Sequence, residues 1–270
     1  MSGKPTDRYH WAWHRLMRRF AQRVILRGVI NSVVSIQVEG KENVDGLKGP
    51  FILVANHSSH LDAPVLISSL PYPLTKHLAT AVAADYFYSQ KWRSTLTSVF
   101  FNSYPVERDG RRSGGGRGGK PKRAGLSISL LRQDVPLLIF PEGTRSRTGE
   151  MAGFKPGAAA LARALRVPVV PVGLIGAHDA MPVGSSWPKP GRKPVRLLIG
   201  QPVRVQSGEA LTDLNDRIEQ RVRAMVETRT VEAGVGPDVV EPPPDAPAPP
   251  TPPHDTNATD QASEPKQEDS

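Results

Sequence analysis

Phe51-Ile52-Leu53-Val54-Ala55-Asn56-His57-Ser58-Ser59-His60-Leu61-Asp62-Ala63-Pro64 decides how this chain is to be read. Its first five residues form an unbroken apolar run, the pattern of a parallel strand buried on both faces. Pro64 has no amide hydrogen and is tolerated only in the first turn of a helix, so a helix is expected from Ala63. Strand, polar turn and helix together make the repeating unit of an α/β protein. The polar residues of that turn stand where the ends of parallel strands gather functional side chains.

The alternation continues on either side. Ser35–Val38 reads as a strand, residues 84–101 as a helix and Tyr104–Val106 as a short strand. Val135–Phe140 is a second apolar strand, and it runs directly into Pro141-Glu142-Gly143-Thr144-Arg145-Ser146. Pro156 and Gly157 open a helix through Leu165, and Val167–Leu174 and Val195–Ile199 supply two more strands. A last helix near residues 209–229 sets Leu211, Leu214, Ile218, Val222 and Met225 at three- and four-residue steps, which is core packing. The expected fold is α/β, with a mixed, largely parallel sheet flanked by helices.

Composition bounds the rest. The chain has 270 residues, no cysteine and a formal net charge of +9. From Pro237 to Ser270 it carries ten prolines, eight acidic residues, one lysine and no aromatic residue. Such a stretch buries too little apolar surface to offset the entropy of ordering, so residues 237–270 are expected to be a disordered acidic tail. Residues 35–236 are then the folded domain, preceded by a helical segment at 1–34. Without the tail the body has 34 bases against 18 acids, or +16. A body this basic suits an anionic partner: a membrane surface, a nucleic acid or a phosphorylated substrate. The lack of cysteine excludes disulfides and thiolate chemistry. No apolar run approaches the ~20 residues of a membrane-spanning helix, and arginines interrupt any signal-peptide core. The expectation is a cytoplasmic protein, with a peripheral position on the inner face of the cell membrane left open.

Residues 9–30 read as an amphipathic helix. Trp13, Leu16, Met17, Phe20 and Val24 share one face, while Arg15, Arg18, Arg19 and Arg23 take the opposite side. A basic helix of this kind either lies in a membrane interface or packs on its own core with a solvated arginine face. A second basic stretch holds seven bases among residues 108–123, interleaved with Gly114-Gly115-Gly116 and Gly118-Gly119. It suits anionic headgroups or a solvated loop. Nucleic acid is not the expected partner, because the aromatic residues that stack on single strands are missing nearby.

Two segments carry chemistry. His57 and Asp62 would lie ~140° apart on a continuous helix, and the turn at Ser58-Ser59 is what allows them to meet. Asp62 could then accept from one imidazole nitrogen and leave the other free to take a proton. Asp62 is also a good N-cap for the helix that follows. His60 reads as a bystander. In the second segment, Glu142, Gly143, Thr144 and Arg145 form a tight turn backed by Arg147 and Lys155, and arginine's planar fork suits bidentate phosphate binding. Glu142 would hold Arg145 or a substrate hydroxyl, or form a surface ion pair. Together the segments describe a site that deprotonates a hydroxyl on a substrate held by its phosphate.

These residues resemble a known family. Asn56-His57-x4-Asp62 is similar to the first motif of the glycerolipid acyltransferases, the group that contains the bacterial 1-acylglycerol-3-phosphate acyltransferases. Phe140 through Ser146 resembles the third motif, and Val167-Pro168-Val169-Val170-Pro171-Val172 the fourth. The second motif, usually Gly-x-x-Phe-Ile-x-Arg, here reads Asn102-Ser103-Tyr104-Pro105-Val106-Glu107-Arg108, which keeps the arginine and replaces the glycine and the phenylalanine. The resemblance spans residues 30–205. It implies acyl transfer from acyl-CoA or acyl-carrier protein to the free hydroxyl of a lysophospholipid, giving phosphatidate if the acceptor is 1-acylglycerol 3-phosphate, with no metal and no cofactor. It assigns His57 as base, Asp62 as its orienter, and Arg108 and Arg145 as the phosphate-holding arginines. Glu142, Gly143, Thr144 and Lys155 are expected beside them. The second-motif departures lie where the acceptor binds, so another lysolipid or a glycolipid is the alternative acceptor. A non-enzymatic nucleic-acid-binding protein is the alternative of another class.

Overall fold

The computed structural model describes residues 21–83, 104–106 and 124–232, all within one compact unit, Met1–Gly234. Residues 9–20 of the expected N-terminal helix, the expected helix at 84–101, Arg108 with the glycine-rich basic stretch, and the acidic tail lie outside the described residues.

Seven strands form one sheet: β1 (Val34–Glu39), β2 (Ile52–Ala55), β3 (Ala79–Ala83), β4 (Tyr104–Val106), β5 (Leu137–Ile139), β6 (Val169–Ile175) and β7 (Lys193–Ile199). Their order is β1-β7-β6-β2-β5-β3-β4. Every neighbouring pair is parallel except β6 with β7. The sheet is therefore mixed and largely parallel, as the alternation of elements implies.

β2 lies at the centre, and all four of its residues are buried. Successive side chains of a strand point to opposite faces, and the two cores follow that alternation. Leu53 and Ala55 join one cluster together with Leu138, Val170, Val172, Leu174 and Leu197. Ile52 and Val54 join the other, with Leu137 and Val169. The first face is covered by α1 (Arg27–Val33, which continues a single π-helical stretch, Ala21–Leu26), α2 (Asp62–Ser69), the short α3 (Tyr72–Thr75) and the short α6 (Ala177–Ala180). The second is covered by α4 (Ala124–Arg132), α5 (Gly157–Leu165) and α7 (Leu211–Glu232). Each fully buried aliphatic side chain contributes about 1.5–3 kcal/mol, so this double layer is the main source of stability.

Leu214, Ile218 and Val222 of α7 are buried, with Leu211 and Met225 packed beside them, the stripe anticipated from their spacing. Gly173 on β6 permits the close approach of that helix: a Cβ there would lie 3.0 Å from the Met225 Cβ.

Several boundaries differ from expectation. β5 ends at Ile139, because the chain turns at Phe140. β3, with the sequence Ala-Thr-Ala-Val-Ala, lacks the aliphatic bulk that marks the other inner strands, and α4 was likewise unmarked in the sequence. The first helical piece also faces a different way from a core-packed helix with a solvated arginine face. Gln22 and Ile30 are buried while Val24, Ile25 and Val29 are exposed. Arg23 turns inward, donating to the Leu70 carbonyl at 2.9 Å and lying 5.8 Å from the Tyr72 ring centre.

Candidate active site

Parallel pairing places the two chemical segments side by side. β2 runs between β5 and β6, with Val54 opposite Ile139 and Pro171. The residues after Ala55 and after Ile139 thus leave the sheet at the same edge. This bridges the 85 positions of sequence from His57 to Glu142. The end of β2 is also fastened to β6: the Asn56 side chain donates to the Leu174 carbonyl at 2.9 Å and accepts from the Leu174 amide at 2.7 Å.

The His57 ring meets Asp62, with Nδ1 and Oδ2 2.8 Å apart. The carboxylate side chain is 0% exposed, and the imidazole 21%. Asp62 Oδ2 also accepts from the backbone N–H groups of Ser58 at 2.7 Å and Ser59 at 2.8 Å. The sharp turn at Ser58-Ser59 is thus wound around the carboxylate, which fixes the ring nitrogen bonded to it. The capping expectation is corrected here: Asp62 is the first residue of α2, and its side chain makes no N-cap bond to that helix. The donors it satisfies precede it. Oδ1 is buried with no hydrogen-bond partner among the described residues, so the bonding of Asp62 converges on Oδ2.

The other side of the imidazole stacks on Phe140, with ring centres 4.1 Å apart and planes 19° from parallel. Between aspartate and phenylalanine the ring is held in position and in plane. Nδ1 is engaged by Asp62, which leaves Nε2 as the nitrogen that can exchange a proton with substrate.

Glu142 is not the surface residue that an ion pair requires. It is 4% exposed, and its hydrogen-bond partners among the described residues are backbone amides. Its Oε1 accepts from the His57 backbone N–H at 2.6 Å, and its Oε2 from the Ala152 N–H at 3.0 Å. Burial pushes its carboxyl above the ordinary value, partly offset by those two bonds and by the charge of His57, while Asp62 adds repulsion. The Ser146 amide returns a bond to the His57 carbonyl at 2.8 Å. Glu142 is therefore a bracket between the two turns.

The cations stand further out. Arg145 extends back across the gap, and its guanidinium meets the exposed His60 imidazole. Gly143 has φ +76°, and a Cβ at this position would lie 3.0 Å from the Lys155 ammonium nitrogen. The left-handed backbone calls for glycine here, and a Cβ would crowd the lysine that crosses the turn. Thr144 is exposed on the same loop. Arg145, Lys155 and the imidazole together make a rim whose fixed charge is positive. Among the described residues no group of three or more His, Asp or Glu side chains could hold a metal ion.

Sequence reasoning missed several supports. Ser59 Oγ donates to the Met181 carbonyl at 2.7 Å, and His178 Nδ1 lies 3.3 Å from the Ser58 carbonyl. Neither carried a signal, because both reach the turn from β6 and its sequel, more than 100 residues away. Phe140 stood in the sequence as the end of a strand and the start of the third motif, with nothing to mark it as the ring that stacks on His57.

Residues 35–175 match the family described as Acyltransferase. The chain is 28% identical over 208 residues to a chloroplastic 1-acyl-sn-glycerol-3-phosphate acyltransferase of Brassica napus, covering 77% of this chain and 55% of that protein. It is 26% identical over 207 residues to the 1-acyl-sn-glycerol-3-phosphate acyltransferase of Bacillus subtilis, covering 74% of this chain and 92% of that one. It thus spans about half the length of the plant and algal relatives it matches. The crystal structure of PlsC, the 1-acyl-sn-glycerophosphate acyltransferase of Thermotoga maritima, shares the fold, with a TM-score of 0.62 and 24% identity over 80% of this chain and 79% of that one. The matched region takes in the His57–Asp62 turn, the bracket at Glu142 and the rim at Arg145, and by that match this chain belongs to the Acyltransferase family.

Proposed function

We propose that the chain transfers a fatty acyl group from the thioester of coenzyme A or acyl-carrier protein to the free hydroxyl of 1-acyl-sn-glycerol 3-phosphate, giving phosphatidate. The observation that carries this reading is the buried Asp62 carboxylate 2.8 Å from Nδ1 of a partly exposed His57, beside a cationic rim. His57 Nε2 takes the hydroxyl proton as the oxygen attacks the thioester carbonyl. The tetrahedral intermediate collapses with loss of the thiolate, and the proton held by His57 neutralises it. Asp62 stabilises the imidazolium that forms between those steps. Assistance of this kind is worth ~10²–10⁴-fold. Arg145 and Lys155 hold the acceptor phosphate, with Arg108 as the third cation. No cofactor enters the cycle.

Membrane contact is part of the same proposal. The acceptor is a bilayer lipid, and no helix among the described residues is long and apolar enough to cross a membrane. Val24, Ile25 and Val29 face outward while Arg23 faces the protein. This supports a segment lying in a membrane interface with anionic headgroups as its partner, which the proposal sets on the inner face of the cell membrane.

One experiment tests the activity: purified full-length chain, one acyl-CoA, and a panel of lysolipid acceptors. Turnover highest on lysophosphatidate is the expected result. Turnover confined to a neutral or glycosylated acceptor would replace the acceptor and keep the chemistry. Salt-dependent RNA or DNA binding with no transfer to any lipid would put the chain in the non-enzymatic class.

A further inference from the structure

Four large apolar side chains are exposed among the described residues: Val24, Ile25, Val29 and, the most exposed of them at 83%, Trp187. The first three belong to the helical segment already assigned to the interface. Trp187 lies far from it in sequence, on the connection from α6 to β7, Met181-Pro182-Val183-Gly184-Ser185-Ser186-Trp187-Pro188-Lys189-Pro190-Gly191-Arg192.

Topology places this connection at the edge of the sheet that holds the active site. β6 runs parallel to β2, so residues after Ile175 leave the sheet where Asn56 and His57 do. β7 is antiparallel to β6 and therefore begins at that edge. β1 is parallel to β7, with Val34 opposite Lys193, so the helical segment enters the sheet there too. The connection is anchored at its base. The Lys189 amide donates to the Ala180 carbonyl at 2.7 Å and the Ser185 amide to the Pro182 carbonyl at 3.1 Å. The Met181 carbonyl accepts from Ser59 at 2.7 Å, and Ser59 is one of the two residues whose amides hold Asp62. The base of the Trp187 loop is therefore bonded to the catalytic turn itself.

Its composition completes the case. Residues 181–193 carry Lys189, Arg192 and Lys193 and no acidic residue, and all three bases are exposed. Tryptophan is the side chain that favours the headgroup level of a bilayer, with an apolar ring and an N–H that stays wet, and neighbouring bases draw such a loop to anionic lipid.

We infer that the Trp187 loop is a second membrane contact, inserting Trp187 among the headgroups of an anionic bilayer and presenting the His57 turn to lipid in that surface. The inference rests on the reading of the chain as an acyltransferase of membrane-borne lysolipid. It goes beyond that reading in giving the active-site edge its own lipid contact, separate from the N-terminal segment.

The test uses the full chain with Trp11, Trp13 and Trp92 replaced by phenylalanine, so that Trp187 is the sole emitter. Vesicles of phosphatidylglycerol and phosphatidylcholine should shift its emission to the blue, and lipids brominated near the headgroup should quench it, with neither effect on pure phosphatidylcholine. In the otherwise native chain, Trp187→Ser should raise the apparent KM for lysophosphatidate presented in anionic vesicles several-fold. Its kcat, and its KM for a short-chain monomeric lysophosphatidate, should stay put. Each of Lys189, Arg192 and Lys193 changed to serine should weaken vesicle binding by about fivefold. Unmoved, unquenched emission on vesicles that do sediment the protein overturns the inference and leaves the acyltransferase reading intact. So does a shift produced only by an acidic acyl-carrier protein, which would make the loop a donor dock. A parent chain with no turnover on any lysolipid overturns the function instead, and the fluorescence still decides the lipid contact.

Discussion

The Ser58 and Ser59 amides and the His57 ring all converge on Asp62 Oδ2, so the aspartate shapes the turn and orients the base at once. Asp62→Asn keeps an acceptor oxygen but loses the charge, and charge-assisted bonds are roughly twice as strong as neutral ones. It also ceases to stabilise an imidazolium. We expect kcat to fall about 10²–10⁴-fold, read by steady-state acyl transfer; near-normal turnover would mean that Asp62 only shapes the turn. His57→Ala should remove transfer by the same order or more while the protein stays folded, with some loss of melting temperature from the Phe140 stacking and the Asp62 bond it gives up. Glu142 makes a prediction about pH. Burial raises its folded-state carboxyl above the ordinary value of about 4.5, so the folded protein binds that proton more tightly than the unfolded chain. Its contribution is fully present below about 4.5 and is lost as pH rises through the raised value. Glu142→Gln removes that dependence, so the stability of the parent relative to the variant should decline as pH increases above 4.5. Denaturant titrations of both proteins at a series of pH values measure it, and a difference that grows with pH would contradict the sign.

The turn from Phe140 to Ser146 behaves as a unit, tied to β2 through Glu142 and through the Ser146 amide. Gly143→Ala puts a Cβ on a residue with φ +76° and 3.0 Å from Lys155 Nζ. The backbone term alone costs about 1–2 kcal/mol. For a domain of this size that lowers the melting temperature by at least ~2–4 °C, and displacement of the lysine should raise KM for the acceptor as well. In the proposed reading Arg145 holds the acceptor phosphate equally in ground state and transition state, so the expected signature of Arg145→Ala is a higher KM with kcat largely kept. A change confined to kcat would reassign Arg145 to the reacting atoms.

At the scale of the molecule, the proposed reading requires a domain with no spanning helix among its described residues to meet a lipid. The described part of the N-terminal segment has a buried side, with Gln22 and Ile30, and an apolar outer side, with Val24, Ile25 and Val29. Changing those three outer residues together to serine touches nothing in the core, so folding stability should move by less than ~0.5 kcal/mol per site. Sedimentation with anionic vesicles should drop by about tenfold or more, since the inserted apolar area is lost. Unchanged sedimentation of that triple variant would move the anchor elsewhere.

Local patterning in this chain marked the strands β1, β2, β4, β5, β6 and β7 and the helices α2, α5 and α7, though not β3 or α4. Phe51–Ala55 reads as a buried strand, Pro64 as a first-turn proline, and the Leu211–Met225 steps as a packed stripe, because backbone geometry imposes those periods on any chain. It also brought His57, Asp62 and Arg145 forward, since few residue types can move a proton or hold a phosphate. The sequence could not show that Glu142 is a buried bracket, that Asp62 bonds backward and not forward, or that Arg23 faces inward while Val24 faces out. Nor could it show that Trp187 stands at the edge of His57. Burial and hydrogen-bond partnership belong to the neighbours a residue acquires. Those neighbours were set by the parallel pairing of β2 with β5 and β6, which brings together turns separated by 85 and more than 100 residues.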